Sequence, residues 1–259
     1  MRFAVCYKRS REESARRVKR VLEGEGEVVY FKPSDESSEI SNVDLIVVVG
    51  GDGTVIRCAK AALEGIPLVG VKAGRLGFLS SYTLDNMEEF AEDLKTWSFI
   101  RDERWFLSIK SEIGQFLALN DVVVQKDIEG RMLEIEVIIG GGSPLWFFAD
   151  GLIVSSPTGS TAYNLSAGGP VVHPACETLQ LTPLLPHFLF NRGIVVPASS
   201  GVNLILDDEA NILIDGKIVG KTREVRIGRS TKSITIFRSS NSDFFKVLKT
   251  RIGYGRRLI

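Results

Sequence analysis

The stretch VVVGGDGTVIR, residues 47–57, sets three glycines around one aspartate, straight after an apolar run and before residues at helical spacing. A strand that turns directly into a helix leaves the first helical amides without partners. Those amides and the helix dipole make a seat for phosphate. Gly50, Gly51 and Gly53 would let the backbone approach a ligand closely and adopt positive φ. Asp52 in their midst would repel an anion unless a metal or a proton transfer is involved. A carboxylate beside a phosphoryl donor is what a kinase needs to orient and deprotonate an attacking hydroxyl. A glycine-rich strand-to-helix turn with the aspartate as helix cap accounts for the same residues. Two commoner phosphate motifs fail: no lysine fits G-x-x-x-x-G-K-[ST], and from Gly51 the G-x-G-x-x-G spacing reaches Gly53 and then Ile56.

A second stretch, DGLIVSSPTGSTAYNLSAGGPVV at 150–172, gathers Ser155, Ser156, Thr158, Ser160, Thr161, Tyr163 and Ser166 around Pro157, Gly159, Gly168, Gly169 and Pro170. Such an array of donors and acceptors suits phosphates, ribose hydroxyls and base edges; an ordinary polar loop between strands is the plain alternative. In LALNDVVV (117–124), Asn120 and Asp121 interrupt an apolar run, so they face a ligand or fill a turn. An amide can read an adenine edge, and a carboxylate can accept from both hydroxyls of a ribose.

The elements that must position these residues change in texture along the chain. FAVCY (3–7), DLIVVV (44–49) and IPLVGV (66–71) read as buried strands. Between them, residues 11–23 and the run Val55, Ala59, Ala62, Leu63 have helical spacing, as does DNMEEFAEDLKTW (85–97), where Asp85 and Glu88 resemble a capping box. Alternating strand and helix imply a parallel sheet. From about residue 100 the pattern turns to period two: RWFLSIK, MLEIEVII, NLIL, ILI, EVRI and SITIF, separated by turn signals that include Asp207-Asp208 and Asp215-Gly216. SDFFKVLKTR (242–251) is helical again, with Ser242 as its expected N-cap. The fold class is therefore α/β plus all-β. A Rossmann-like parallel-sheet domain covers 1–98 and an antiparallel β-sandwich covers 99–238. The tail 239–259 brings a C-terminal helix back to the first domain.

With 259 residues the chain is long enough for two such domains, and 44% hydrophobic residues supply their cores. Its 32 basic and 32 acidic residues balance, which argues against a nucleic-acid face. Cys6, Cys58 and Cys176 form no C-x-x-C pair; Cys6 and Cys58 read as small buried hydrophobes. The opening MRFAVCYKRS is too short for a signal-peptide core, and no apolar run approaches the ~20 residues of a membrane span, so no membrane and a reducing cytoplasm are expected.

Together these residues resemble the NAD kinase family. The resemblance rests on GGDGT (50–54), GRLGFL (74–79), LNDVVV (119–124) and DGLIVSSPTGSTAYNLSAGGP (150–170), followed by LTPLLPHFLFNRGIVVP and ILIDG. It implies transfer of the γ-phosphoryl of ATP, or of polyphosphate, to the 2′-hydroxyl of the adenosine ribose of NAD, giving NADP. Asp52 resembles the family's catalytic base. By the same resemblance Gly51, Gly53 and Thr54 hold phosphate oxygens, and Arg57 adds positive charge near the donor. Asn120 and Asp121 match dinucleotide-binding positions; Asp150, Ser160, Thr161, Ala162, Tyr163 and Ser166 match residues lining the NAD cleft, expected between the two domains. Mg²⁺ or another divalent cation is expected on the ATP, held mostly by phosphates and water, so no residue is assigned to a metal. The resemblance also implies a homodimer or homotetramer through the β domain. Differences from the family's usual residues fall at Lys72 (often Asn), Phe148 (sometimes Arg), Ser156 (Thr), Gly193 (Pro) and Lys217 (Gln). Two other readings stay open: a lipid or diacylglycerol-type kinase, which would need an apolar acceptor pocket, and a non-catalytic dinucleotide sensor, which would not need an acid among the glycines.

Overall fold

The computed structural model describes residues 1–36, 39–62, 65–74, 77–188 and 190–255. By contact density the chain divides into two compact units, Met1–Glu103 with Ile234–Ile259, and Arg104–Ser233.

In the first unit, short runs of apolar residues form the strands. These are β1 (Arg2–Tyr7), β2 (Glu27–Pro33), β3 (Leu45–Val49) and β4 (Leu68–Lys72), with a two-residue β5 (Tyr82–Thr83) beside β4. Of these, β1, β3 and β4 are covered on both faces, while β2 is partly exposed along its length. All five residues of β3 are buried, which is why its sequence shows no alternation. The strands are parallel in the order β2-β1-β3-β4, and Ile236, near the end of the strand Lys217–Arg238, pairs in parallel with Leu68 beyond β4. Pairings Tyr7–Val49 and Val49–Val71 bring the C-terminal ends of β1, β3 and β4 to one edge of the sheet, the edge at which α/β folds bind ligands. Helix α1 (Glu12–Glu23) buries Ala15, Val18 and Leu22; α2 (Asp52–Ala61) buries Val55 and Ala59; α3 (Met87–Thr96) buries Phe90 and Leu94. Ala62 leaves α2 in extended conformation and bridges to Ile40; Leu63 lies outside the described residues. Cys58 is buried against Cys6, and that contact together with desolvation pushes its thiol well up, so this pair packs as hydrophobes.

Two caps differ from expectation by one residue. Asn86, not Asp85, precedes α3. Its Oδ1 accepts from Thr83 N and Oγ1 (2.6 and 3.1 Å) and its Nδ2 donates to Glu89 (2.9 Å), so Asn86 ties the preceding turn rather than closing a capping box. The C-terminal helix Phe244–Ile252, part of the first unit, is capped by Asp243, which accepts from Phe245 N at 2.9 Å. An aspartate one residue nearer the helix displaces Ser242 from that role.

The second unit is antiparallel. The strands are β6 (Ile100–Ser111, which enters it from the first unit), β7 (Gly114–Ala118), β8 (Asp121–Gln125), β9 (Leu133–Ile139), β10 (Leu145–Ala149), β11 (Gly151–Ser155), β12 (Thr178–Leu184), β13 (Ile194–Pro197), β14 (Val202–Ile214) and β15 (Lys217–Arg238). NLIL and ILI, expected as two strands, are one: β14. It pairs with β9 along Val202–Leu206 and with β8 along Asn211–Ile214. Asp207-Asp208 is therefore not a turn but the point where β14 changes partners, at a register break between Ile205 and Ala210. Both aspartates find donors there, Asp207 from Glu134 N (3.0 Å) and Asp208 from Glu209 N (2.9 Å). EVRI and SITIF likewise lie in the single strand β15. The core of this unit joins both halves of β14 through Leu204, Ile212, Val122 and Ile135.

Candidate active site

β3 ends at Val49, and Gly50 N donates to Val71 O (3.0 Å), holding the glycine turn to the neighbouring strand. Gly51 occupies the N-cap position of α2, and its carbonyl accepts from Thr54 N (2.8 Å) and Val55 N (3.2 Å). The amides of Asp52 and Gly53 thus precede the first intrahelical bond and point out of the helix start. None of the three glycines is required by positive φ, contrary to expectation, and only Gly50 is required by lack of space. Gly51 has φ −95°, and neither Gly50 nor Gly53 lies in the left-handed region. A Cβ on Gly50 would collide with the buried Thr54 side chain, whereas beside Gly51 and Gly53 there is open room.

Asp52 is the first residue of α2, and its carboxylate is held by a different segment. Phe78 N donates to Oδ2 (3.1 Å) and Leu79 N donates to Oδ1 (3.3 Å). Two consecutive amides on one carboxylate form a small anion nest. A Cβ at Gly77 would overlap Oδ1, so the glycine of GRLGFL is required by the aspartate of GGDGT. Arg75 and Leu76 of that motif lie outside the described residues. Lys72, at the end of β4, is half-buried. Burial pulls its ammonium below the ordinary value, the Asp52 carboxylate pushes back, and the Arg251 guanidinium adds to the fall. Arg57 is exposed on the second turn of α2.

In the second unit the motifs around residues 120 and 155 meet. Ser155 pairs with Asp121 across β11 and β8, and Ser156 N donates to Asn120 O (2.8 Å). Ser155 Oγ reaches Asn120 O (3.3 Å), and Ser156 Oγ donates to Leu119 O (2.5 Å) and accepts from Gly159 N (3.3 Å). Gly159 packs so closely on Asn120 O that any side chain would overlap it. Ser160 Oγ donates to Val172 O (3.0 Å) and accepts from Val172 N (3.1 Å). Arg104, itself buried, donates to Thr158 Oγ1 (3.1 Å). Much of the hydroxyl array is therefore turned inward: Ser155, Ser156 and Ser160 are 0% exposed. Thr161 and Ala162 are half-buried, Ser166 is exposed and Tyr163 is 42% exposed, so these present the loop to solvent.

Asn120 is half-buried and Asp121 almost wholly buried, in a turn between β7 and β8. Asp215 fixes that turn. Its carboxylate accepts from Leu119 N (3.0 Å), Asn120 N (2.8 Å) and Asp121 N (3.3 Å). Asp215 and Gly216, φ +46° and +76°, form the two-residue hairpin turn joining β14 to β15, a conformation that Asp-Gly adopts readily. Asp150 lies at the other end of β11, about 16 Å of strand from Ser155 by the ~3.3 Å rise per residue, and 3.8 Å from Lys126 Nζ. The structure does not bring it to the Asn120 cluster. Three contributors had no role assigned from sequence: Gly77, Asp215 and Asn164. Gly77 and Asp215 sit in motifs that stood out, GRLGFL and ILIDG. Asn164, fully buried, links Pro170 O (3.2 Å) to Thr182 Oγ1 (2.6 Å) and had no signal beyond its place in the loop.

Family models match both parts of the chain: the ATP-NAD kinase N-terminal domain over residues 6–98 and the ATP-NAD kinase C-terminal domain over residues 119–239. Curated relatives include the NAD kinase of Thermotoga neapolitana, 47% identical over 258 residues and all of both chains. The NAD kinase of Geobacter sulfurreducens is 38% identical over 83% of this chain and 80% of its own. Among solved structures, an NAD kinase from Archaeoglobus fulgidus in complex with ATP superposes with a TM-score of 0.81 at 28% identity, covering 98% of each chain. Yeast NADH kinase complexed with NADH gives 0.86 over 100% of this chain and 89% of its own; at 18% identity it speaks to the fold alone.

Proposed function

The chain belongs to the NAD kinase family, and we propose that Asp52 is the base with which it moves the γ-phosphoryl group of ATP, or of polyphosphate, to the 2′-hydroxyl of the adenosine ribose of NAD. Its activity is that of a kinase making NADP. The observation that carries the residue assignment is the Asp52 carboxylate, held by two amides at the first residue of a helix whose flanking Gly51 and Gly53 leave open room where a side chain would stand.

Phosphoryl transfer asks for positioning and charge neutralisation more than for covalent chemistry. In this reading the amides around Gly51 and Gly53, with Thr54, seat phosphate oxygens, and Arg57 adds positive charge. Asp52 accepts the proton of the ribose hydroxyl as that oxygen bonds to phosphorus, and the bond to the departing ADP breaks. Asn120, Thr161, Ala162, Tyr163 and Ser166 contact the dinucleotide. Asp121 and Ser160, both buried, act by shaping the turn and loop that carry them. Among the described residues no cluster of three or more His, Cys, Asp or Glu side chains is placed to cage a metal. A divalent cation such as Mg²⁺, held by the triphosphate and water, would neutralise phosphate charge. The Lys72 ammonium interacts electrostatically with the Asp52 carboxylate.

A homodimer or homotetramer through the second unit is supported by exposed apolar side chains there: Leu145, Trp146 and Phe148 on β10, and Leu185, Phe188 and Phe190 in the loop tied to it by His187 N donating to Phe148 O (2.8 Å). A cytoplasmic setting suits Cys6, Cys58 and Cys176, none of which is in a disulfide. No described helix is long and apolar enough to cross a membrane.

Incubation with NAD, ATP and Mg²⁺ should yield NADP. Phosphorylation of a diacylglycerol without NADP would favour the lipid-kinase reading, and tight NAD binding without turnover would favour the sensor.

A further inference from the structure

The segment that holds Asp52 is itself held. Phe78 C=O and Leu79 N–H belong to one peptide group, planar and trans, so they point in opposite directions. At the N–H end this group donates to Asp52 Oδ1 (3.3 Å); at the carbonyl end it accepts from Arg238 Nη2 (2.7 Å). Arg238 closes strand β15, and its Nε donates to Asp102. Both side chains of that pair are largely buried, 11% and 19% exposed. The result is a continuous chain of contacts within the first unit: Asp102, Arg238, the Phe78–Leu79 peptide, Asp52.

We propose that Arg238, braced by Asp102, is a positioning residue for phosphoryl transfer: by gripping the Phe78 carbonyl it sets the direction in which the adjoining amide holds the Asp52 carboxylate. The proposal rests on Asp52 being the base. Three physical effects support it. A rigid peptide plane clamped at its oxygen cannot swing its N–H away from Oδ1. A cationic donor on the carbonyl polarises the amide and strengthens the bond that amide makes. The guanidinium is planar and its Nε is already engaged, so the position of Nη2 is fixed as well; a lysine ammonium, a single flexible point charge, could not serve both partners in that geometry. With one amide on each oxygen, the carboxylate keeps lone pairs free in defined directions, one of which can receive a hydroxyl.

The test is a kinetic cycle on the full-length enzyme with NAD, ATP and Mg²⁺. Arg238→Lys should lower kcat by about tenfold to a hundredfold, the scale of a misplaced catalytic group, with the KM for NAD within about twofold of wild type. Asp102→Asn, which keeps its shape, should show the same pattern to a smaller degree and replaces Arg238→Lys if the lysine variant does not fold. In an Asp52→Asn background, Arg238→Lys should cause no further loss, because nothing remains to be positioned. An unchanged kcat, a change in KM alone, or an equal fold loss in both backgrounds overturns the proposal while leaving the loss in Asp52→Asn intact. Full turnover by Asp52→Asn itself overturns the base assignment, and this proposal with it.

Discussion

At the scale of single residues, the site is a set of close approaches, and the sequence showed some and hid others. Asp52 stood out in the sequence because an acid at a phosphate seat is electrostatically awkward, although a helix cap accounts for the same residue. What holds it did not, since the amides of Phe78 and Leu79 belong to residues whose side chains look like core. The hydroxyl-rich loop was legible as unusual but its use was not: Ser155, Ser156 and Ser160 spend their hydroxyls on backbone groups of their own unit, and only burial reveals it. The contact between the two glycine motifs yields a prediction at this scale. A methyl group on Gly77 must displace the Asp52 carboxylate, so Gly77→Ala should cost on the order of 10²-fold in kcat while leaving NAD affinity close to wild type. Steady-state kinetics beside equilibrium NAD binding checks this. Normal turnover would show that Asp52 has room to work in another orientation.

At the scale of elements, buried strands announced themselves and boundaries did not. The unbroken apolar run at β3 and the period-two runs of the second unit marked strands correctly. Asp207-Asp208 looked like a turn because paired acids favour turns, yet β14 continues through it by exchanging β9 for β8, a tertiary event that local sequence does not encode. Helix caps were misplaced by one residue where two capping types stand side by side, as at Ser242-Asp243. Asp243 accepts from Phe245 N at the start of the last helix, so Asp243→Ala should lower the unfolding free energy by about 1 kcal/mol. Denaturant unfolding measures it, and Ser242→Ala should have a smaller effect.

At the scale of the whole molecule, the chain's last segment shares a compact unit with its first hundred residues, and Glu89 shows how this is held. The Glu89 carboxylate accepts from Ser239 and from Asn241 Nδ2 (3.1 Å) as well as from Asn86, and the Ser239 hydrogen bond above all holds its pKa below the ordinary 4.5. A depressed folded-state value means that this contribution is complete above the unfolded-state value and is lost as pH falls through the folded one. Wild type should therefore lose thermal stability more steeply than Glu89→Gln below about pH 4.5; parallel melting curves for the two would contradict that linkage. Family membership establishes the kinase activity of the whole chain, and the account built on it turns on one carboxylate. The most direct measurement is turnover and NAD affinity of Asp52→Asn, which preserves shape and removes the charge. NAD should bind as it does to wild type while NADP formation falls by about 10²–10⁴-fold. Wild-type turnover in that variant, with binding unaltered, would contradict the account.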